Sequence, residues 1–294
     1  MPDLSRPLVS IGMPVCNGGK LLHRAIGTLI SQSYANLQIV ISDNASTDET
    51  EPICRSYASR DARICYRRNQ SNLGAARNFE NALHLAAGEY FMWAAHDDCW
   101  HSDFVQANLE QLLRNPLAIA SISKMRLLQG DMIVPTPSWA NLGTSPLLQS
   151  LEQNLAKYVA NPGMNSRFYA LFRRNVLVAC LPFEDYCASD WTLVAKTLGF
   201  GGYAEVNRVL FFRGYGGASC GILETLAKGQ RSVWERWFPA WRFTKHVLQM
   251  EHAGWNLALF LALLRTNAHF AAVRIQALVR KAFMGTDHIA VKTS

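Results

Sequence analysis

Four apolar runs separated by three amphipathic segments fill the first hundred residues, and that alternation leaves few folds open. Leu8 to Pro14 reads as a strand that Pro14 stops, and Val15 to Gly19 as a loop. Leu22, Ala25, Ile26, Leu29 and Ile30 recur at helical spacing, which predicts an amphipathic helix over 20–32. Leu37 to Ile41 reads as a second strand, buried on both faces. Ser46 and Glu49 have capping-box spacing for a helix over 47–59. Arg63 to Arg67 is a short third strand, and the helix over 75–87 is closed by Gly88. The fourth run, Phe91-Met92-Trp93-Ala94-Ala95, ends at His96-Asp97-Asp98, and Ser102 caps a helix to about Arg114. The pattern predicts an α/β fold, a mostly parallel sheet flanked by helices.

In such sheets ligands bind outside the carboxyl ends of the strands. Asn17, Asp43 and the Asp97-Asp98 pair all fall at those ends. Two adjacent carboxylates at a buried strand end are either solvated or balanced by a cation, and the fitting cation is Mg²⁺ or Mn²⁺ held through oxygen. No G-x-G-x-x-G follows the first strand, and Asn17-Gly18-Gly19-Lys20 lacks the spacing of a P-loop, so a nucleotide would be held without a glycine cradle. Further on, residues 117–147 read as irregular, with Leu127, Ile133 and Val134 on a hairpin. Ser150 to Ala160 reads as a helix and Arg167 to Phe172 as a strand. Asp190 opens an apolar helix that Gly199 ends, a place where an acid also serves as an N-cap or a partner of the helix dipole. Tyr203–Val206 and Val209–Arg213 read as two short strands before a glycine-rich loop.

Composition narrows the class. A chain of 294 residues with 49% hydrophobic residues builds a sizeable core. Seven cysteines are scattered without a C-x-x-C pair, which fits a reducing cytoplasm and suggests neither a zinc site nor a thioredoxin-type motif. The net charge of +7 is uneven: from Ile222 to Ser294 ten Lys or Arg face four Asp or Glu. A basic excess in an aromatic-rich tail points to an anionic membrane surface more than to nucleic acid.

Taken in order, the segments resemble the family-2 glycosyltransferases of the GT-A fold. Val9 to Asn17 is similar to the family's opening strand and Pro-x-aromatic-Asn loop, Ser31-Gln32-Ser33-Tyr34 to its next helix end, and Ser42 to Asp48 to its acidic turn. Asn72-Leu73-Gly74-Ala75-Ala76-Arg77-Asn78, Ala87-Gly88-Glu89-Tyr90 before the acidic strand, and Ser189-Asp190-Trp191 complete the series. The resemblance implies a nucleotide-sugar donor and transfer with inversion at the anomeric carbon. It implies donor binding by Pro14, Cys16, Asn17, Asp43, Asn44, Arg77, Asp97 and Arg213, with Ser219 near the pyrophosphate. It implies a Mg²⁺ or Mn²⁺ ion on Asp98, with Asp97 as a second ligand, and Asp190 as the general base. Three positions depart from the pattern: Ala95 replaces the first acid of a D-x-D, Cys16 an aromatic, and Ser189 an acid beside Asp190. A nucleotidyltransferase and a non-catalytic sugar-nucleotide or glycan-binding module are the competing readings.

The resemblance covers residues 8 to about 219. The expected division is a catalytic domain over 1–221, with a nucleotide-sugar half to about 115 and an acceptor half from 116, followed by a basic helical tail over 222–294. Trp234, Trp237, Phe238, Trp241 and Phe243 cluster there among Arg231, Arg236, Arg242 and Lys245. The apolar run Ala253–Leu264 is shorter than the roughly 20 residues that span a bilayer. The tail therefore either packs on the catalytic domain or on a second subunit, as in a homodimer, or docks on the inner face of an anionic membrane beside a glycan or lipid-linked acceptor.

Overall fold

The computed structural model describes residues 6–19, 21–214, 232–250 and 257–284. Lys20, Ser219 and the rest of the glycine loop after Gly214, Arg231 and the first residues of the 253–264 run lie outside the described residues. The first half is β1 (Val9–Val15), α1 (Leu21–Ile30), β2 (Leu37–Asp43), α2 (Thr50–Ala58), β3 (Ile64–Arg68), α3 (Ala75–His84) and β4 (Tyr90–Trp93). Then come β5 (Cys99–Trp100), α4 (Phe104–Arg114), β6 (Ala118–Gln129), β7 (Met132–Val134), α5 (Ser138–Leu142) and α6 (Leu151–Ala160). A 3₁₀ turn (Ser166–Tyr169) leads to β8 (Leu171–Arg173), α7 (Arg174–Ala179), α8 (Ser189–Leu198) and β9 (Gly202–Gly214). The tail holds α9 (Val233–Trp237), α10 (Trp241–Leu248) and α11 (Leu257–Met284).

One sheet runs β3-β2-β1-β4-β8-β6-β9-β5, with β7 beside β6. The first four strands pair in parallel, and β6 pairs in parallel with β9, while β8 is antiparallel to both β4 and β6. The carboxyl ends of β1, β2, β4, β6 and β9 therefore share one edge. Every residue of β1 is buried, because helices cover both faces. Gly12 is required there: a Cβ would lie 2.6 Å from the Phe91 ring. Trp93 stacks on Phe168 with centroids 4.8 Å apart, which joins the first half of the sheet to the second.

Several local expectations are corrected. The capping box is not formed, because the Ser46 hydroxyl donates to Asp43 and α2 starts only at Thr50. Asp103, not Ser102, precedes α4, and its side chain makes no cap bond. The stretch expected to be irregular contains the twelve-residue β6, and residues 166–169 form a 3₁₀ turn rather than strand. Tyr203 to Arg213 is one strand, whose register against β6 slips between Val206 and Val209.

The tail packs on the α/β fold. Trp191 of α8 is flanked edge-on by Phe243 of α10 (5.8 Å) and Phe270 of α11 (5.5 Å). His246 stacks on Tyr186, and Phe243, Val247, Leu259 and Leu263 join the same hydrophobic core as Leu193 and Tyr158. Among the described residues no helix is long and apolar enough to cross a membrane.

Candidate active site

At the shared strand edge the end of β2 is buried. Asp43 is fully buried: its Oδ1 accepts the Ser46 N–H (2.9 Å) and hydroxyl (2.6 Å), and its Oδ2 accepts the Tyr66 hydroxyl (2.7 Å). Arg68 approaches the same oxygen at 3.5 Å. Asn17, in the left-handed region, accepts the Thr47 N–H through its side chain at 2.8 Å, so the β1 loop and the 43–48 turn interlock. The buried Asn44 amide holds the 69–74 loop: its Oδ1 accepts from Leu73 N, and its Nδ2 donates to Asn72 and to the Gly74 carbonyl. Asp43 and Asn44, both expected to touch the donor, are buried and hydrogen-bonded within the protein, where they brace this wall. Pro14 is buried within β1, while Cys16, Asn17, Asn72 and Arg77 are exposed on this rim.

The end of β4 carries the acidic pair. Asp98 is 3% exposed and its Oδ1 accepts the Gly214 N–H at 2.8 Å. Burial pushes its carboxyl up to about 7, and neighbouring Asp97 adds to that, while Arg213, the Gly214 N–H and Arg24 oppose it. Asp97 is half-buried, and its carbonyl accepts from Arg24 Nη2 at 3.2 Å. β9 approaches so closely that a Cβ on Gly214 would lie 2.6 Å from the Asp97 carbonyl oxygen. His96 lies against Gly18 of the β1 loop. A Mg²⁺ or Mn²⁺ ion bound with a diphosphate takes one or two carboxylates, phosphate oxygens and water. Asp98 and Asp97 would supply hard oxygen ligands, and the ionised form of the buried Asp98 is a charge that a divalent cation would balance. Among the described residues no three His, Cys, Asp or Glu side chains form an all-protein cage, so the other ligands would come from the diphosphate and water. The residues fit the ion.

The start of α8 carries the third acid. Asp190 sits in the first turn of the helix, and the residue at the cap is Ala188 in the left-handed region, so Asp190 is not the N-cap. Asn165 Nδ2 donates to its Oδ2 at 2.8 Å. Burial raises the Asp190 carboxyl above the usual range, while the Asn165 bond and the Arg213 charge pull it back. Arg213 thus bears electrostatically on both Asp98 and Asp190; its guanidinium lies over the Tyr169 ring at 5.6 Å and donates to the Met164 carbonyl. Tyr169, in turn, feels Arg213, Asp98, Asp97 and Asp190 together. The structure brings the acidic pair, Arg213 and Asp190 into one cluster on the strand edge. Sequence reasoning missed Tyr169, Asn165, Tyr158 and Arg24, none of which lies in a chemically telling motif. The Asn161-Pro162-Gly163 turn was the sole hint that the chain bends back near Asn165.

At the carboxyl edge of this mixed α/β sheet Arg213 bears electrostatically on both the buried Asp98 and Asp190. The glycosyl transferase family 2 model matches residues 10–180, and the chain belongs to that family. An uncharacterized glycosyltransferase of Rickettsia typhi is 35% identical over 107 residues, 36% of this chain and 32% of the relative. One of Rickettsia felis is 32% identical over 158 residues, 49% of this chain and 25% of the relative. The matches thus span a third or less of those relatives' own lengths. Among solved structures, S. aureus TarS 1-349 in complex with UDP superposes with TM-score 0.62 at 14% identity, over 98% of this chain and 75% of that one. The mannosyltransferase PcManGT from Pyrobaculum calidifontis, in complex with GDP-Man and Mn²⁺, gives TM-score 0.56 at 19% identity, over 95% and 82%. These likenesses show the GT-A fold.

Proposed function

We propose that this chain transfers a sugar, with inversion and with a divalent metal, from a nucleoside-diphosphate sugar to a hydroxyl of a cell-surface polysaccharide or glycolipid acceptor. The observation that carries this reading is that Arg213, whose guanidinium lies over the Tyr169 ring, bears electrostatically on both Asp98 and Asp190. Bound at Asp98 and Asp97, Mg²⁺ or Mn²⁺ would supply Lewis-acid stabilisation of the departing diphosphate. Arg213 adds positive charge on the same side. Cys16, Asn17 and Arg77 line the donor rim that Asp43 and Asn44 shape. Asp190 takes the proton from the acceptor hydroxyl as that oxygen bonds to the anomeric carbon; the bond from that carbon to the diphosphate breaks, and its electron pair leaves with the diphosphate. One carboxylate suffices, because no sugar is attached to the protein, and such a base contributes about 10²–10⁴-fold.

The tail supports a peripheral membrane location for the acceptor, at the cytoplasmic face. Trp234, Trp237 and Trp241 are exposed, and α11 carries Arg265 and Arg274 with no acidic residue. A catalytic unit over 1–221 and a tail over 222–294 remain the proposed division. A second subunit covering the same face would give a homodimer, which light scattering distinguishes from lipid binding. The direct test of the donor reading is a thermal-shift screen of UDP, GDP and dTDP with Mn²⁺ or with chelator. Stabilisation by at least one nucleotide that depends on Mn²⁺ supports it; equal response in chelator contradicts the metal role of Asp98.

A further inference from the structure

We propose that Asn165 is a positioning residue for Asp190, which engages Oδ2 and so leaves Oδ1 as the oxygen that receives the acceptor's proton. The proposal rests on the reading of Asp190 as the base. Asn165 is 2% exposed and holds φ at 53°, a backbone region that asparagine and glycine tolerate and most residues do not. Its Nδ2 donates to Asp190 Oδ2 at 2.8 Å, and its Oδ1 accepts the Tyr158 hydroxyl at 2.8 Å. A buried primary amide has two faces of opposite hydrogen-bonding sense, so it needs a partner to fix which face points where. Tyr158, fully buried in α6, is that partner: its donated hydrogen claims the carbonyl side and turns the NH₂ toward the carboxylate. The same hydroxyl lies 3.2 Å from the carbonyl of Trp191, the residue after the base, so α6 meets the start of α8 there while its one hydrogen goes to the shorter contact with Asn165. The Arg167 guanidinium lies over the Tyr158 ring at 5.8 Å and donates to the Ser145 carbonyl.

The arrangement has a chemical consequence. A donor fixed on one carboxylate oxygen stabilises the ionised form and restricts rotation of the group. The other titratable or charged groups bearing on Asp190 are Arg213 from β9, Tyr158 from α6, Tyr169 from the 3₁₀ turn, and Tyr186 and Cys187 from the loop before α8. Arg242 of α10 lies over Tyr186 from the far side. Of these Arg213 alone is cationic and bears on Asp190 directly, so removing the amide leaves Arg213 and the backbone N–H groups of Asp190 and Trp191 to stabilise the carboxylate.

The test uses the full chain labelled with ¹³C at the aspartate carboxyl, the Asp190 signal being assigned by its loss in Asp190→Asn. Asn165→Gly keeps the left-handed backbone accessible while deleting the amide; Tyr158→Phe keeps the ring and deletes the hydroxyl. The expected result is an upward move of the Asp190 titration midpoint by about one unit or more in Asn165→Gly, and a smaller move in the same direction in Tyr158→Phe. With UDP-GlcNAc or GDP-mannose, Mn²⁺ and water as acceptor, kcat for nucleoside-diphosphate release should fall on the order of 10- to 100-fold in Asn165→Gly, with donor KM unchanged. An unchanged midpoint with unchanged kcat overturns the proposal. If Asn165→Gly loses its cooperative melting transition, Tyr158→Phe decides, and an unmoved midpoint there overturns it. Asp190→Asn releasing nucleotide at the wild-type rate overturns the base reading itself, whereas an inactive Asp190→Asn beside an unaffected Asn165→Gly overturns the positioning role alone.

Discussion

Replacing Phe243 by alanine probes whether the tail is structurally part of the catalytic fold. Phe243 is fully buried, belongs to the common core, and meets the Trp191 ring edge-on at 5.8 Å. Truncation of a buried phenylalanine costs about 3–5 kcal/mol, made of lost transfer energy and the cavity left behind. Of that, an edge-to-face aromatic pair accounts for about 0.5–1.5 kcal/mol. For a chain of this size each kcal/mol lowers the melting temperature by roughly 2–4 °C, so the expected drop is about 6 to 20 °C. Because Trp191 follows Asp190, the loss should also loosen the start of α8 and lower turnover more than donor binding. The assay is thermal unfolding followed by tryptophan fluorescence and circular dichroism, with donor KM and kcat measured well below the transition. A single transition displaced by this amount supports the reasoning. A shift under about 2 °C, or two separated transitions with the larger one unmoved, would refute it by showing a tail that folds apart.

Other outcomes follow from the same geometry. Asp190 must be ionised to accept a proton and its carboxyl is raised by burial, so turnover should fall as pH drops through a midpoint above the ordinary carboxylate range; a pH–kcat profile flat down to pH 4 would contradict this. Gly214→Ala would press a methyl group against the Asp97 carbonyl and displace the acidic pair, so Mn²⁺-dependent nucleotide binding, read by calorimetry, should weaken on the order of tenfold or more. Gly12→Ala would overpack the β1–α3–β4 layer against Phe91 and should cost about 1–3 kcal/mol in urea unfolding without changing donor KM. Vesicles rich in phosphatidylglycerol should pull the protein into a floating fraction, and alanine at Trp234, Trp237 and Trp241 together should abolish flotation; equal recovery on neutral vesicles would contradict charge-assisted docking.

The parallel half of the sheet was legible because strands covered on both faces produce mostly apolar runs, as in Val9–Val15 and Ile39–Ile41. The acidic pair was legible because charge appears abruptly after Ala95, where such a run ends. β6 was not: Ser121 and Ser123 are fully buried, and Ser121 is satisfied by Asn108 of α4, a partner that no local pattern reveals. β9 read as two strands because Asn207 and Arg208 occupy a bulge against β6 and break the alternation. The Ser46 capping signal failed because Asp43, three residues earlier, claims the hydroxyl. Contacts such as Asn165 with Asp190, or Phe243 with Trp191, are made between elements far apart in sequence, and each residue taken alone looks like ordinary turn or core composition.

Donor turnover is the direct test of metal-dependent transfer with Asp190 as base. Purified protein would be incubated with UDP-GlcNAc and GDP-mannose, with Mn²⁺ or with EDTA, and released nucleoside diphosphate quantified for wild type, Asp98→Asn and Asp190→Asn. Release is expected from at least one donor in Mn²⁺, none above background in EDTA or in Asp98→Asn, and a loss of about 10²-fold or more in Asp190→Asn with nucleotide binding retained. Equal release in Mn²⁺ and EDTA, or an Asp190→Asn variant as active as wild type, would contradict it.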